Sequence, residues 1–191
     1  MTVTFTALGP VMKRLFAIAS AAVALAASPA LAALAVGAAA PDFAAQASQA
    51  GKQFPFHLAD ALKKGPVVLY FFPAAFTSGC TIEAHEFAAA SDDYKALGAT
   101  LIGVTAGNIE RLTEFSVSEC RSKFPVAADP GAKIAGDYKS TLAIYPGHSD
   151  RTSYVIAPNG KVIFVYSNLG AEQHVAKTLE ALKAYRTSHP I

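Results

Sequence analysis

Cys80 closes the run Pro73-Ala74-Ala75-Phe76-Thr77-Ser78-Gly79-Cys80, which follows a continuous apolar stretch over 67–72 and opens a helical pattern. A cysteine in the first turn of a helix meets the positive end of the aligned peptide dipoles, which favours thiolate over thiol. Thr77 brings a hydroxyl within reach of the same spot, and Pro73 stiffens the turn while supplying no N–H. The polar, turn-like Thr-Ser-Gly before Cys80 suits a reactive sulfur better than an inert buried one. Arg151 begins a later strand pattern; its guanidinium keeps its proton, and its planar fork can serve a thiolate and an oxygen together. From the residues alone, several bland roles stay open: Thr77 as a helix cap, Arg151 as a surface cation, Glu83 as a first-turn acid and Pro73 as a strand terminator.

The pattern Pro73-x-x-x-Thr77-x-x-Cys80, continued by Thr81-Ile82-Glu83-Ala84, resembles the peroxidatic motif of the peroxiredoxins, most closely the peroxiredoxin Q (bacterioferritin-comigratory) branch of the alkyl hydroperoxide reductase/thiol-specific antioxidant superfamily. Val36-Gly37 with Ala40-Pro41-Asp42-Phe43 resembles the usual start of that domain, and Arg151 before Ser153-Tyr154-Val155-Ile156 resembles its strand-borne arginine. The resemblance runs from about residue 36 to the C-terminal helix. It implies a thioredoxin-like α/β fold with a central mixed sheet. It also implies a thiol-dependent peroxidase in which Cys80 attacks hydrogen peroxide or an organic hydroperoxide and becomes a sulfenic acid. Thr77 and Arg151 would stabilise the moving charge, Glu83 would orient Arg151, and Pro73 would wall the pocket. That step requires no cofactor and no metal.

Cys80 and Cys120 are the only cysteines. Their spacing gives neither a Cys-x-x-Cys dithiol nor a zinc-finger pair. In an exported chain two cysteines also fit a structural disulfide. The position five residues after Cys80, where many peroxiredoxin Q relatives carry the resolving cysteine, is His85. Cys120 resembles the resolving residue of another subset, and the resemblance then implies an intramolecular disulfide. Its alternative is a buried helix cysteine that never meets Cys80. Because a disulfide needs Cα atoms within about 7 Å, the pairing predicts local unwinding around both residues. His85 reads as a solvated helix histidine and His148 as a residue of the loop before Arg151.

The elements that must position these groups follow from periodicity. The 67–72 run reads as a strand covered on both faces, followed by one helix over about 79–97 and a parallel strand at 100–104. A second helix starts near Asn108 as cap and carries Cys120 three turns on. A short extended piece lies at 124–126, then a brief helix from Asp129-Pro130 through Ile134. Strands at 152–157 and 161–167 flank the hairpin signal Asn159-Gly160. A last helix covers about 171–185, with 139–151 as loop.

The chain has 191 residues, 52% of them hydrophobic, enough for one domain with a real core. Lys13-Arg14, an apolar stretch over 15–27 and Ser28-Pro29-Ala30-Leu31-Ala32 read as a secretory signal cut after Ala32, leaving one domain over 33–191. Met12 is an alternative initiator, and an uncleaved membrane anchor is the competing reading. Either outcome exports the domain, to the periplasm of a bacterium. Two of the 16 Lys and Arg residues lie in this leader, so 33–191 carries 14 basic against 14 acidic residues. That balance argues against nucleic acid as partner. The implied partners are a hydroperoxide substrate and a thioredoxin-like or other dithiol reductant, and the implied state is a monomer. Two further readings share the sequence: a peroxide sensor that relays its disulfide, and a non-catalytic thioredoxin-like domain with a structural Cys80–Cys120 bridge.

Overall fold

A computed structural model describes residues 1–2 and 33–191; residues 3–32, and with them nearly all of the leader, lie outside the described part. The central strand β3 (Val67–Phe71) is buried at every position, as its unbroken apolar composition requires. It pairs parallel with β4 (Thr100–Thr105) and antiparallel with β6 (Thr152–Ile156). The seven-stranded sheet runs β2-β1-β5-β4-β3-β6-β7. The remaining strands are β1 (Ala44–Gln49), β2 (Lys52–His57), β5 (Val126–Ala128) and β7 (Val162–Ser167). The β1–β2 hairpin and the short helix α1 (Leu58–Leu62) lie outside the periodicity reading.

Alternation along β3 divides the core. Val68, Tyr70 and Phe72 face a layer with α2 (Ser78–Ala89), α3 (Ser91–Ala96), α4 (Ile109–Ser118) and α6 (His174–Ser188). Val67, Leu69 and Phe71 face α1 and α5 (Lys133–Asp137). Each fully buried Val, Leu or Phe contributes about 1.5–3 kcal/mol, so β3 is an anchor for the chain that leaves its end. Tyr70 stacks on Phe87, with ring centroids 4.3 Å apart. The neighbouring position on β4 has to be glycine, because a Cβ at Gly103 would lie 2.7 Å from the Tyr70 ring.

Three sequence expectations change. The single helix over 79–97 is two, broken at Ala90 (φ −88°, ψ 1°). Tyr94 remains buried beyond the break, and its hydroxyl hydrogen-bonds Thr178 at 2.7 Å. The brief helix expected through Ile134 begins at Lys133 and runs to Asp137, with the Asp129 carboxylate accepting from the N–H groups of Ile134 and Ala135. Cys120 is not on the second helix. That helix ends at Ser118, and the chain then turns through two left-handed residues, Arg121 (φ 49°) and Ser122 (φ 59°).

Candidate active site

Helix α2 buries Cys80, Glu83, Ala84, Phe87 and Ala88. This is the i, i+3, i+4, i+7 stripe of a core-facing helix. Phe87 fixes the rotation against Tyr70, and Cys80 and Glu83 are thereby carried to the inner face. Glu83 therefore shares the buried face with Cys80. Phe76, held at φ 65°, precedes Thr77 in the loop from β3. Residue Thr77 is the N-cap, and its hydroxyl donates to Ala74 O at 3.0 Å, so no side chain caps the first turn of α2. The N–H groups of Ser78, Gly79 and Cys80 are left to meet an anion beside the sulfur.

Arg151 arrives from the start of β6, next to β3 in the sheet, and is 5% exposed. Its Nη2 lies 3.5 Å from Cys80 Sγ, its Nη1 donates to Glu83 Oε2, and its Nε donates to Leu169 O at 2.8 Å. All three arms of the fork are committed, which fixes the cation against the sulfur. Burial opposes charge on Arg151, but Glu83 and Cys80 outweigh it and raise its pKa. Burial pushes the Glu83 carboxyl up to about 8, against the pull of Arg151.

Sequence reasoning missed three contributors. Gly79 lets the guanidinium approach: a Cβ there would stand 3.2 Å from Arg151 Nη2. His174 and Ser153 lie behind Glu83, with His174 Nδ1 3.8 Å from Glu83 Oε1 and 2.8 Å from Ser153 Oγ. A glycine in the first turn of the Cys80 helix was a readable signal. His174 gave none, because it lies 91 residues from Glu83 in the chain.

Pro73 is half-buried and lines a groove of about 220 Å³ with Ala74, Ala75, Gly107, Arg111 and His148. The groove lies beyond the carboxyl ends of β3 and β4, where open α/β sheets bind ligands. His85 is not simply solvated: its Nε2 is 2.9 Å from Glu119 Oε2, tying α2 to the end of α4. Cys120, fully buried beside that end, belongs to the same core layer as Cys80. Burial pushes the Cys120 thiol up, so it is no competing thiolate. Both cysteines are free thiols.

A thioredoxin-like sheet that presents a helix-N-terminal cysteine to a buried arginine defines a thiol-redox class of protein. The chain belongs to the AhpC/TSA family, whose model matches residues 36–165. It is 35% identical to the chloroplastic peroxiredoxin Q of Arabidopsis thaliana over 149 residues, covering 78% of this chain and 67% of that protein. The protein designated peroxiredoxin bcp in Helicobacter pylori is 32% identical over 154 residues, covering 78% of this chain and 98% of the relative. Against the rice peroxiredoxin Q proteins, the chain spans 66% of their length. Among solved structures, peroxidoxin BcpB of Mycobacterium tuberculosis superposes with a TM-score of 0.71 at 28% identity, covering 79% of this chain and 97% of that one. AhpC of the same organism shares the fold, with a TM-score of 0.72 at 19% identity, covering 84% and 97%.

Proposed function

We propose that this chain is a thiol-dependent peroxidase that reduces hydrogen peroxide and organic hydroperoxides at Cys80. The observation that carries the reading is the buried guanidinium of Arg151, 3.5 Å from Cys80 Sγ at the uncapped start of α2. Cys80 as thiolate attacks the terminal peroxide oxygen. The S–O bond forms as the O–O bond breaks, and the departing oxygen leaves as alkoxide or hydroxide and takes a proton from water. Charge moves from sulfur to that oxygen, where Arg151 Nη2 and the free first-turn N–H groups stabilise it. Glu83 and the Leu169 carbonyl hold the guanidinium in place. Cys80 is 1% exposed, which suits a small peroxide group and keeps bulk water off the thiolate.

The product is the Cys80 sulfenic acid. Cys120 condenses with it, forming the S–S bond and releasing water, and a dithiol reductant of the thioredoxin type returns both thiols. Cys120 sits in a turn with two left-handed non-glycine residues, Arg121 and Ser122. Such backbone is strained, and that strain favours the opening that brings the sulfurs together. The domain over 33–191 acts as a monomer outside the cytosol after removal of the leader. Among the described residues no helix is long and apolar enough to cross a membrane.

The test is peroxide consumption with a dithiol reductant by the wild type, Cys80→Ser and Cys120→Ser, with peptide mapping after one equivalent of peroxide. The wild type turns over steadily and yields a Cys80–Cys120 disulfide, Cys80→Ser consumes nothing, and Cys120→Ser stops at sulfenic or sulfinic Cys80. Turnover by Cys80→Ser at the wild-type rate overturns the reading. A single turnover by the wild type would mark a relay to a partner in place of an enzyme.

A further inference from the structure

Behind the cysteine–arginine pair lies a second layer of polar groups that the peroxide chemistry does not touch. Glu83 and His174 are both fully buried. His174 Nε2 is 2.9 Å from Asn168 O. A carbonyl only accepts, so Nε2 carries the proton. Burial lowers the His174 pKa, which leaves the ring neutral and makes Nδ1 an acceptor. The Ser153 hydroxyl, 2.8 Å away, donates to it. That bond takes the Nδ1 lone pair, and Glu83 Oε1, 3.8 Å from Nδ1, faces no N–H of the ring and has no hydrogen-bond donor among the described residues.

The charge count gives the same answer. A reactive site holds Cys80 as thiolate and Arg151 as guanidinium. An ionised Glu83 would place two buried anions on one buried cation, with one carboxylate oxygen unsatisfied. A neutral Glu83 leaves the pair balanced, and an acid hydroxyl without a partner costs less in the interior than a carboxylate oxygen without one.

We propose that in the reduced protein Glu83 is a neutral carboxylic acid, protonated on the oxygen that faces His174, so that the charge of Arg151 is left to the Cys80 thiolate. His174 is then a positioning residue. Its tautomer, set by Asn168 O, keeps an N–H from facing Glu83, and the adjoining Leu169 carbonyl holds Arg151 Nε. The charged and titratable groups around Glu83 are Arg151 just before β6, His174 on α6, Cys80 and Glu86 on α2 and Tyr70 on β3; Glu172 faces His174. The raised carboxyl pKa agrees with this arrangement. The proposal rests on the peroxidase reading for its purpose, but its test does not depend on turnover.

The experiment is carbon-13 NMR of the reduced full chain labelled at the glutamate δ-carbon, titrated from about pH 5 to about pH 10. One glutamate carboxyl should keep its protonated shift at neutral pH, and Glu83→Gln should remove that resonance. Counting the carboxyls needs only the wild-type chain, so the result stands even where that variant does not fold. In Cys80→Ser the guanidinium has no thiolate to serve, and the same carboxyl should titrate lower by about one pKa unit. Nitrogen-15 shifts of His174 should show Nδ1 bare and Nε2 protonated. All glutamates ionised at neutral pH, or a Glu83 titration unmoved in Cys80→Ser, overturns the proposal. Loss of peroxide turnover with the NMR signature intact would instead fault the peroxidase reading alone.

Discussion

Replacing Gly79 with alanine separates the stability of the α2 start from its reactivity. Gly79 lies in a helix at an ordinary φ, so alanine adopts its backbone freely and removes glycine's extra unfolded-state entropy, a gain of up to about 1 kcal/mol. The new Cβ would stand 3.2 Å from Arg151 Nη2, tighter than ordinary contact, and the guanidinium has to give way. That nitrogen is 3.5 Å from Cys80 Sγ. At an effective dielectric constant of about 20, a retreat of roughly 0.5 Å weakens the thiolate–guanidinium attraction from about 4.7 to about 4.2 kcal/mol. The same retreat loosens the hold of Arg151 on the charge that moves to the departing oxygen, and a loss of that size, close to RT, is about a threefold fall in the rate constant with peroxide. Stopped-flow competition for hydrogen peroxide gives that rate constant, and thermal unfolding gives the stability. The expected result is an unchanged or raised Tm with about threefold slower reaction. An unchanged rate would refute the claim that Gly79 sets the arginine–sulfur distance, and a Tm lowered by many degrees would refute the claim that alanine fits the backbone.

Two further outcomes follow from the buried groups. The Glu83 carboxyl is raised in the fold from 4.5 to about 8, so between those values the folded state keeps a proton that the unfolded chain releases, and stability falls as pH rises. The lowered His174 pKa acts oppositely, losing stability as pH drops below its ordinary 6.5. Cys80 and His57 also exchange protons on unfolding near neutral pH, so the Glu83 slope is read as the difference between the wild type and Glu83→Gln. Between about pH 6.5 and pH 8 the wild type should lose up to about 1.4 kcal/mol per pH unit relative to the variant in urea unfolding, and parallel profiles contradict the assignment. The Tyr70 hydroxyl is buried with no hydrogen-bond partner among the described residues. Tyr70→Phe keeps the stack on Phe87 and removes an unsatisfied group, so it should stabilise by about 1 kcal/mol in denaturant titration, and a clear destabilisation would mean that the hydroxyl has a partner.

How much of the site was legible depends on how far apart its parts lie in the chain. Cys80, Thr77 and Pro73 sit within eight residues, and local rules convert that run into a strand end, a cap and an exposed helix start. The same local rules put Asn108 at a cap, where its side chain accepts from Arg111 N, and the Asn159-Gly160 hairpin between β6 and β7. They failed at the break between α2 and α3. Ala90 carries no turn signal, yet the helix stops there, and the packing around it, with the Tyr94 hydroxyl bonded to Thr178 on α6, is not written in the local sequence. The short β1–β2 hairpin shows little alternation, since only Ala47, Ser48 and Phe56 on it are buried.

The sequence by itself determined that one cysteine opens a helix after a doubly covered strand, because apolar runs and turn residues act over a few positions. Burial of Glu83 was latent in it, four residues before Phe87 on one helical stripe. Only the tertiary structure decided that Arg151 meets Cys80, since that depends on β6 pairing with β3. It alone also placed Cys120 beyond its helix and His174 behind Glu83. Contacts across such distances are set by how the sheet and helices pack together, and no spacing rule within a segment encodes them.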